Sequence, residues 1–516
     1  MKTRNFTRIT AALLSFLMLC SVLACGKADT GEEATTTTAL TTTAATASET
    51  TAEPQGDDLT PSITDDLPAD LKFNNEVVTF LYREEVAGEF YSEAANGDII
   101  NDAVYESILA VEERLGVDIQ TITRKGQTTD VRDEYLKHIV NQTIAGDDTY
   151  DWVDQMANFS GTQAVNGIYC NLLNLDYINL SKPWYISNMK ETVTICDRLF
   201  FVAGDVSLGY LKSAFCIYYN RDKLEELNLE DPEELVRNGA WTLEKLKTYA
   251  IAGGQDLNSD GQFTLDDQLG FVSHDANHPR GFVASTGIDL YQKNADGSHT
   301  YIFGDERDHA ACTALYELKK STPGIYFYES TNAKQEGLAD YAKISDMFIG
   351  GKIMMISAEM DDVIACGYHG MEDSYGVLPY PKLNEEQEQY RTSSRTTHNT
   401  FSMPITCKDP DMAAAVIEAL SAVKYTKVRP TYCDVALKTK YSEDAEAAEI
   451  FDIIHGSMVL EFGYIYANNM SGVPMNLVLN LMNDVNRFSS AVRAESAMME
   501  KLYNKMIKAI EEKCEE

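Results

Sequence analysis

The sequence predicts an α/β protein built as two lobes, and three observations predict it. Strand and helix patterns alternate β-α-β-α-β between residues 77 and 154, the rhythm of a parallel sheet covered by helices. About 450 residues follow a low-complexity leader, more than one small core organises. The last third is largely helical in pattern, without the eightfold β-α rhythm of a barrel.

The body opens with the strand Val77–Tyr82. A helix follows, capped by Asn101 or Asp102, with Val104, Ile108, Val111 and Leu115 at helical spacing and Gly116 as its stop. A second strand covers Val117–Ile122, a helix runs from about Asp130 to Ile144, and Tyr150–Asp154 forms a third strand. Further on, Phe200–Ala203 and Phe215–Asn220 have strand composition. Trp241–Ala252 is a helix with Thr242 as N-cap. A helix at 308–320, a strand at Ile353–Ile356 and a proline-stiffened extended crossing at Tyr375–Pro381 come next. The remaining helices cover 412–423, 445–454 and 485–512.

The N-terminus carries Lys2, Arg4 and Arg8, then an apolar run from Ala11 to Leu23. That run has the length of a signal-peptide core and is short for a membrane span. It ends in Leu23-Ala24-Cys25-Gly26, which resembles a lipobox, so residues 1–24 are expected to be a lipoprotein signal and Cys25 the lipidated residue. Residues 25–70 hold Thr35–Thr38, Thr41–Thr43 and little that is aromatic. Such a segment cannot offset its ordering entropy by burial. It is expected to be a disordered tether reaching about 35 Å.

With 80 acidic against 43 basic residues the formal charge is −37, which argues against nucleic acid or an anionic membrane surface as partner. Besides Cys20 and Cys25, eight cysteines are scattered through the body without a C-x-x-C pair, a pattern of small core residues rather than of a disulfide framework. No G-x-S-x-G elbow, Walker loop or G-x-G-x-x-G fingerprint occurs. His274 and His278 stand four apart, but Pro279 follows and the H-E-x-x-H glutamate is missing, so both are read as loop histidines. Trp152 and Trp241 sit in core contexts.

Asp256–Asp267 has the spacing of an EF-hand calcium loop: Asp256, Asn258, Asp260 and Asp267 at positions 1, 3, 5 and 12, and Gly261 at 6. Gln262 would ligate through its carbonyl, and Thr264 directly or through water. Aspartate at position 12 is shorter than the usual glutamate, so weak binding of a structural Ca2+ is expected, with no organic cofactor. A plain acidic turn is the alternative.

Asn96–Tyr105 followed by Val111–Arg114, Leu180–Trp184, Tyr218–Asp222, Asn238–Leu243 and Val377–Pro381 together resemble extracellular solute-binding lipoproteins of bacterial ABC importers, of the maltose-binding-protein-like group found in Gram-positive anaerobes. The resemblance spans the body and implies a type II periplasmic-binding-protein-like fold. In it each lobe is a mainly parallel sheet flanked by helices, and a sugar or oligosaccharide is captured by hinge closure. It also implies a permease and its ATPase as partners, and a binder, not an enzyme. The expected layout of the 71–516 domain is one lobe over about 71–200 and 350–410, a second over about 221–349, and helices 411–516 across both. Hinges are expected near Tyr218–Asn220 and Pro379–Pro381. The expected setting is the outer face of the cytoplasmic membrane, held by the lipid alone, as a monomer.

In open α/β sheets ligands sit beyond the carboxyl ends of strands. A sugar needs planar polar groups for its hydroxyls and aromatic faces for its rings. Arg83, Glu84, Gln155, Asn158 and Glu359 are candidates for the first, Trp184 and Tyr210 for the second. The rivals are a cell-surface glycoside hydrolase, an adhesive surface lipoprotein, and a binder of peptides or another non-sugar solute.

Overall fold

The computed structural model describes residues 64–274, 277–328, 336–437 and 445–514. The expected signal segment, Cys25 and nearly all of the expected tether lie outside the described residues. The body begins earlier than the expected boundary at 70. Asp65 pairs with Arg114, Lys182 donates to Asp66 at 2.5 Å, and Leu67 is buried.

The first sheet holds β1 (Glu76–Arg83), β2 (Val117–Arg124) and β3 (Trp152–Met156), all parallel, and gains an antiparallel edge strand late in the chain. The helix Ile99–Leu115 connects β1 to β2, and Thr129–Ile144 connects β2 to β3. The first of these starts earlier than expected. Asp98 caps it, accepting from the Asn101 N–H, while Asp102 turns back to the N–H groups of Asn96 and Gly97. Gly116 ends it in the left-handed conformation, φ +60°.

The second sheet is built from β4 (Phe215–Asn220), β5 (Leu269–Ser273), β8 (Ile325–Phe327), β9 (Ile353–Glu359) and β10 (Tyr375–Leu378), in the order β10-β4-β9-β5-β8. β6 (Tyr291–Lys293) and β7 (His299–Tyr301) form a separate hairpin. β5 runs parallel to β8 and β9, whereas β4 runs antiparallel to β9 and β10, so this sheet is mixed. β11 (Asn399–Ser402) returns to the first sheet beside β3.

Three expectations are corrected. The stretch 350–410, assigned to the first lobe, gives β9 and β10 to the second sheet. Ile353–Ala358 is buried throughout, and such a strand needs neighbours on both edges, which β4 and β5 supply. Tyr218–Asn220 is not a hinge, because it lies inside the second sheet, with Tyr218 and Tyr219 paired to β9 on one side and β10 on the other. The chain instead crosses between the sheets where pairing thins to one bridge. There Ala214 meets Ser394, Phe215 N–H donates to Ser393 O at 3.0 Å, and Arg395 N–H to Ser213 O at 2.9 Å. Phe200–Ala203 is not a strand of a sheet. Val202 exchanges both backbone hydrogen bonds with Phe401, and the rest of the run is buried without a strand ladder.

The core follows the expected periodicity. Val104, Ile108, Val111 and Leu115 pack under the first sheet with Phe80 and Trp152. Trp152 and Trp241 are fully buried, and their indole N–H groups reach the carbonyls of Ala413 and Pro379 at 2.9 Å. Cys216, Cys312 and Cys407 are buried, and all eight body cysteines are free thiols. In the C-terminal part, Pro410–Thr426 packs against the helix Ile99–Leu115, and Ala445–Gly456 packs against β10. The last helix, Phe488–Lys513, begins after a 3-10 turn at Val485–Arg487.

Candidate functional site

The carboxyl ends of β1 and β3 in the first sheet and of β5 and β9 in the second lead to a seam joined by polar groups. Lys212, next to the crossing, reaches Asp361 after β9 at 3.2 Å and Glu89 after β1 at 3.5 Å. Arg395, on the other crossing, is ion-paired with Glu359 at the end of β9, and His278 Nε2 lies 3.7 Å from the same carboxylate. Burial pushes the Glu359 carboxyl up, but His278 and Arg395 outweigh it and hold it below its ordinary range. These contacts tie the two sheets together at the crossing.

A cavity of about 340 Å3, within the size range of small-molecule sites, opens beside the short helix Leu208–Lys212. Its wall takes Trp184, Asp205 and Tyr210 from the first lobe, and Tyr425 and Arg429 from helices that pack on it. His455 comes from the helix packed against β10. A backbone device places the acid. Gly204 has φ +149°, and a Cβ there would sit 2.0 Å from the Trp184 carbonyl oxygen. With no side chain at 204, Asp205 N–H reaches that oxygen at 2.9 Å, so tryptophan and carboxylate share one wall.

The polar groups in this wall are close but not joined. Arg429 stands 3.9 Å from Asp205, and His455 Nε2 stands 4.0 Å from it. Asp205 is only 6% exposed, yet its carboxylate accepts no direct hydrogen bond among the described residues. Burial pushes it up to about 7, against the pull of Arg429. Burial first and Arg429 second keep His455 well below the ordinary imidazole range, so it is neutral. The Tyr210 hydroxyl is buried without a partner among the described residues. The Trp184 and Tyr425 rings are 6.3 Å apart, and the Arg429 guanidinium lies 4.9 Å from the Tyr425 centroid. The Trp184 indole is fully buried and tilted 60° against Tyr425, so it backs the wall, while the acceptor, the cation and the imidazole stand one hydroxyl apart and can meet a polar ligand group.

Trp184 and Tyr210 thus meet on this cavity. The other nominated residues do not join its wall. Arg83 is 1% exposed and held by Asp154, Nε to Oδ2 at 2.7 Å and Nη2 to Oδ1 at 3.1 Å, with Gln127 as a further acceptor. Gln155 is buried on β3, its amide donating to Ser402 Oγ of the neighbouring β11 at 3.4 Å. Asn158 is half-buried, and its carbonyl accepts from Asn468. Glu84 is exposed, while Glu359 is engaged at the seam. Asp205, Tyr425, Arg429 and His455 were not picked out from the sequence. They are spread over 250 positions, and the local signal for them was limited to the Gly204-Asp205 step.

His274 and His278 lie outside helices and strands, as expected of loop histidines, but they are not solvent-facing. Both are buried, His274 directly after β5 and His278 before the helix Pro279–Ser285, where its Nδ1 lies 2.9 Å from Ser357 O. In the Asp256–Asp267 loop, Asp256 accepts from Ser259 and Gly261, Asp260 from Gln262, and Asp267 from Leu257 and Thr264. Gly261 has φ +78°, and Gln255 and Gln268 pair at the base.

No family model matches the chain, and no curated protein matches it. Solved structures do. One is a maltose-binding periplasmic protein of Listeria monocytogenes in complex with maltose, at 15% identity and TM-score 0.50, with 85% of this chain and 98% of that chain covered. Another is a cyclo/maltodextrin-binding protein complexed with maltotetraose, at 13% identity and TM-score 0.50, with 86% and 98% covered. At these identities the likeness speaks to architecture: the chain has the two-lobed, maltose-binding-protein-like α/β fold.

Proposed function

We propose that this protein captures an uncharged polyhydroxyl solute, a sugar or oligosaccharide, and hands it to a membrane permease and its ATPase. The Trp184–Asp205 cavity is the observation that carries this reading. It sets donors and an acceptor 3.9–4.0 Å apart, a gap that a ligand hydroxyl can bridge, against a wall backed by the buried Trp184. The sugars named for the two solved neighbours support the same solute class. Binding follows hinge closure about Lys212–Phe215 and Ser393–Arg395. Trp184 and Asp205 take the solute on one lobe, and the His455 helix, packed on the other lobe's sheet, adds contacts as the lobes approach. The test is a thermal-shift screen of the purified chain with maltose, maltotetraose and oligopeptides. A rise with sugars that disappears in Asp205→Asn is expected; a rise with peptides alone overturns the sugar assignment.

The remaining parts of the reading are a lipid on Cys25, a monomeric state and a place at the outer face of the cytoplasmic membrane. A leash at that face keeps the binder concentrated beside its permease. None of the described helices is long and apolar enough to cross a membrane. Incorporation of labelled fatty acid into the protein, absent in Cys25→Ser, is the expected result. The Asp256–Asp267 loop binds Ca2+ weakly, on the strength of its ligand spacing and the turn at Gly261. Calcium at about 100 times its Kd should stabilise the chain by about 2.7 kcal/mol, reversed by chelator and lost in Asp260→Ala.

A further inference from the structure

At the carboxyl edge of the second sheet, next to the seam, three residues of different chemistry converge. β5 and β9 are parallel neighbours with Ser273 opposite Ser357, so the segments leaving them emerge side by side. His274 directly follows β5. After β9 the chain turns into the short helix Asp362–Ala365, and Asp362 and Cys366, one helical turn apart, face the same way. An imidazole nitrogen of His274, a carboxylate oxygen of Asp362 and the Cys366 sulfur all lie within 4.8 Å of one another. The Cys366 thiol is 3.7 Å from Asp362 Oδ1. His274 and Asp362 are buried and Cys366 is half-buried.

We infer that His274, Asp362 and Cys366 form a binding site for a zinc-class divalent cation. Two features favour a metal over an ordinary polar contact. The first is charge. A thiolate and a carboxylate with a neutral imidazole cancel the two positive charges of the ion, so the occupied site is neutral in a buried place. The second is the surroundings. His274 has a hydroxyl at each ring nitrogen, Ser345 Oγ at 3.1 Å and Tyr368 OH at 3.3 Å. The nitrogen that turns to the metal gives up one hydroxyl, and the other hydroxyl keeps the ring oriented through the opposite nitrogen. The remaining oxygen of Asp362 accepts from the Glu359 N–H at 2.9 Å, which fixes the carboxylate. Three protein ligands leave a fourth tetrahedral position for water.

The probe is Co2+, followed by Zn2+ competition, added to the chelator-treated, reduced full chain. A thiolate-to-cobalt absorption band at one equivalent is expected, bleached by Zn2+. Cys366→Ser should abolish the band, and Asp362→Asn should weaken binding by at least about tenfold. Cys312→Ser, a buried thiol elsewhere, should leave both unchanged. Asp362→Asn conserves shape, and its circular dichroism verifies folding independently of metal. The site is overturned if no thiolate band appears, or if the band survives in Cys366→Ser and moves with another cysteine. Sugar binding is a separate readout, so failure here leaves the solute cavity standing.

Discussion

Two acid–arginine pairs in this protein look alike in sequence and differ in the fold. Arg83 and Asp154 meet in a bidentate contact at 2.7 and 3.1 Å with almost no exposure, and Asn399 and Gln127 complete the shell. Arg429 and Asp205 stand 3.9 Å apart on the wall of a 340 Å3 cavity, without a direct hydrogen bond. The first pair is saturated: every strong donor faces an acceptor, and a ligand would have to displace one. The second pair is close enough to feel each other's charge and too far apart to satisfy it, which leaves room for a bridging hydroxyl. Saturation, not residue type, separates a structural ion pair from a candidate binding pair.

The largest effect should come from breaking the saturated pair. Arg83→Met leaves the Asp154 carboxylate buried without its cation and should cost about 3–5 kcal/mol of stability, read by denaturant unfolding. If the variant folds at low temperature, its solute affinity should match the parent, since Arg83 lies outside the cavity. A loss of affinity without a loss of stability would break the comparison.

Asp205→Asn should do the opposite. Solute affinity should fall by about 1.5–3 kcal/mol in calorimetry, the range for a hydrogen bond to a charged group. Stability should rise, in a pH-dependent way. The Asp205 carboxyl titrates near 7 in the folded chain against 3.8 ordinarily, so folding favours its protonated form. Its stabilising contribution is complete below 3.8 and is lost as pH climbs through about 7. The amide introduced by Asp205→Asn does not titrate, so the variant should gain on the parent as pH rises, by about 1–3 kcal/mol at pH 8. A gain that is flat with pH would remove Asp205 as its source. The smallest effect belongs to exposed Glu84. Glu84→Ala should change stability by within about 0.5 kcal/mol and leave sugar affinity unchanged.

The alternation of β1 to β3 with their helices was legible in the sequence, because each element carries its own period and its own stop, such as Gly116. Thr242 was legible as an N-cap for the same local reason. β9 and β10 were placed in the wrong lobe because nothing in a strand's own residues names its neighbour. Among the site candidates, Trp184 stood out within the Leu180–Trp184 motif, and Tyr210 only as a further aromatic. Arg83 was visible as a charged residue at a strand end, but its partner lies 71 positions away, so its saturation was not visible.

The sequence alone therefore determined what is local: the helices and strands, the turn chemistry at Asp256–Asp267, the acidic charge, and the apolar run that ends before Cys25. The tertiary structure decided what depends on contacts between distant segments. It set the crossing at Ala214 and Ser394 and brought Asp205 beside Arg429 and His455. Periodicity and capping act over a few residues, whereas saturation of a charge depends on which distant groups packing brings within hydrogen-bond reach.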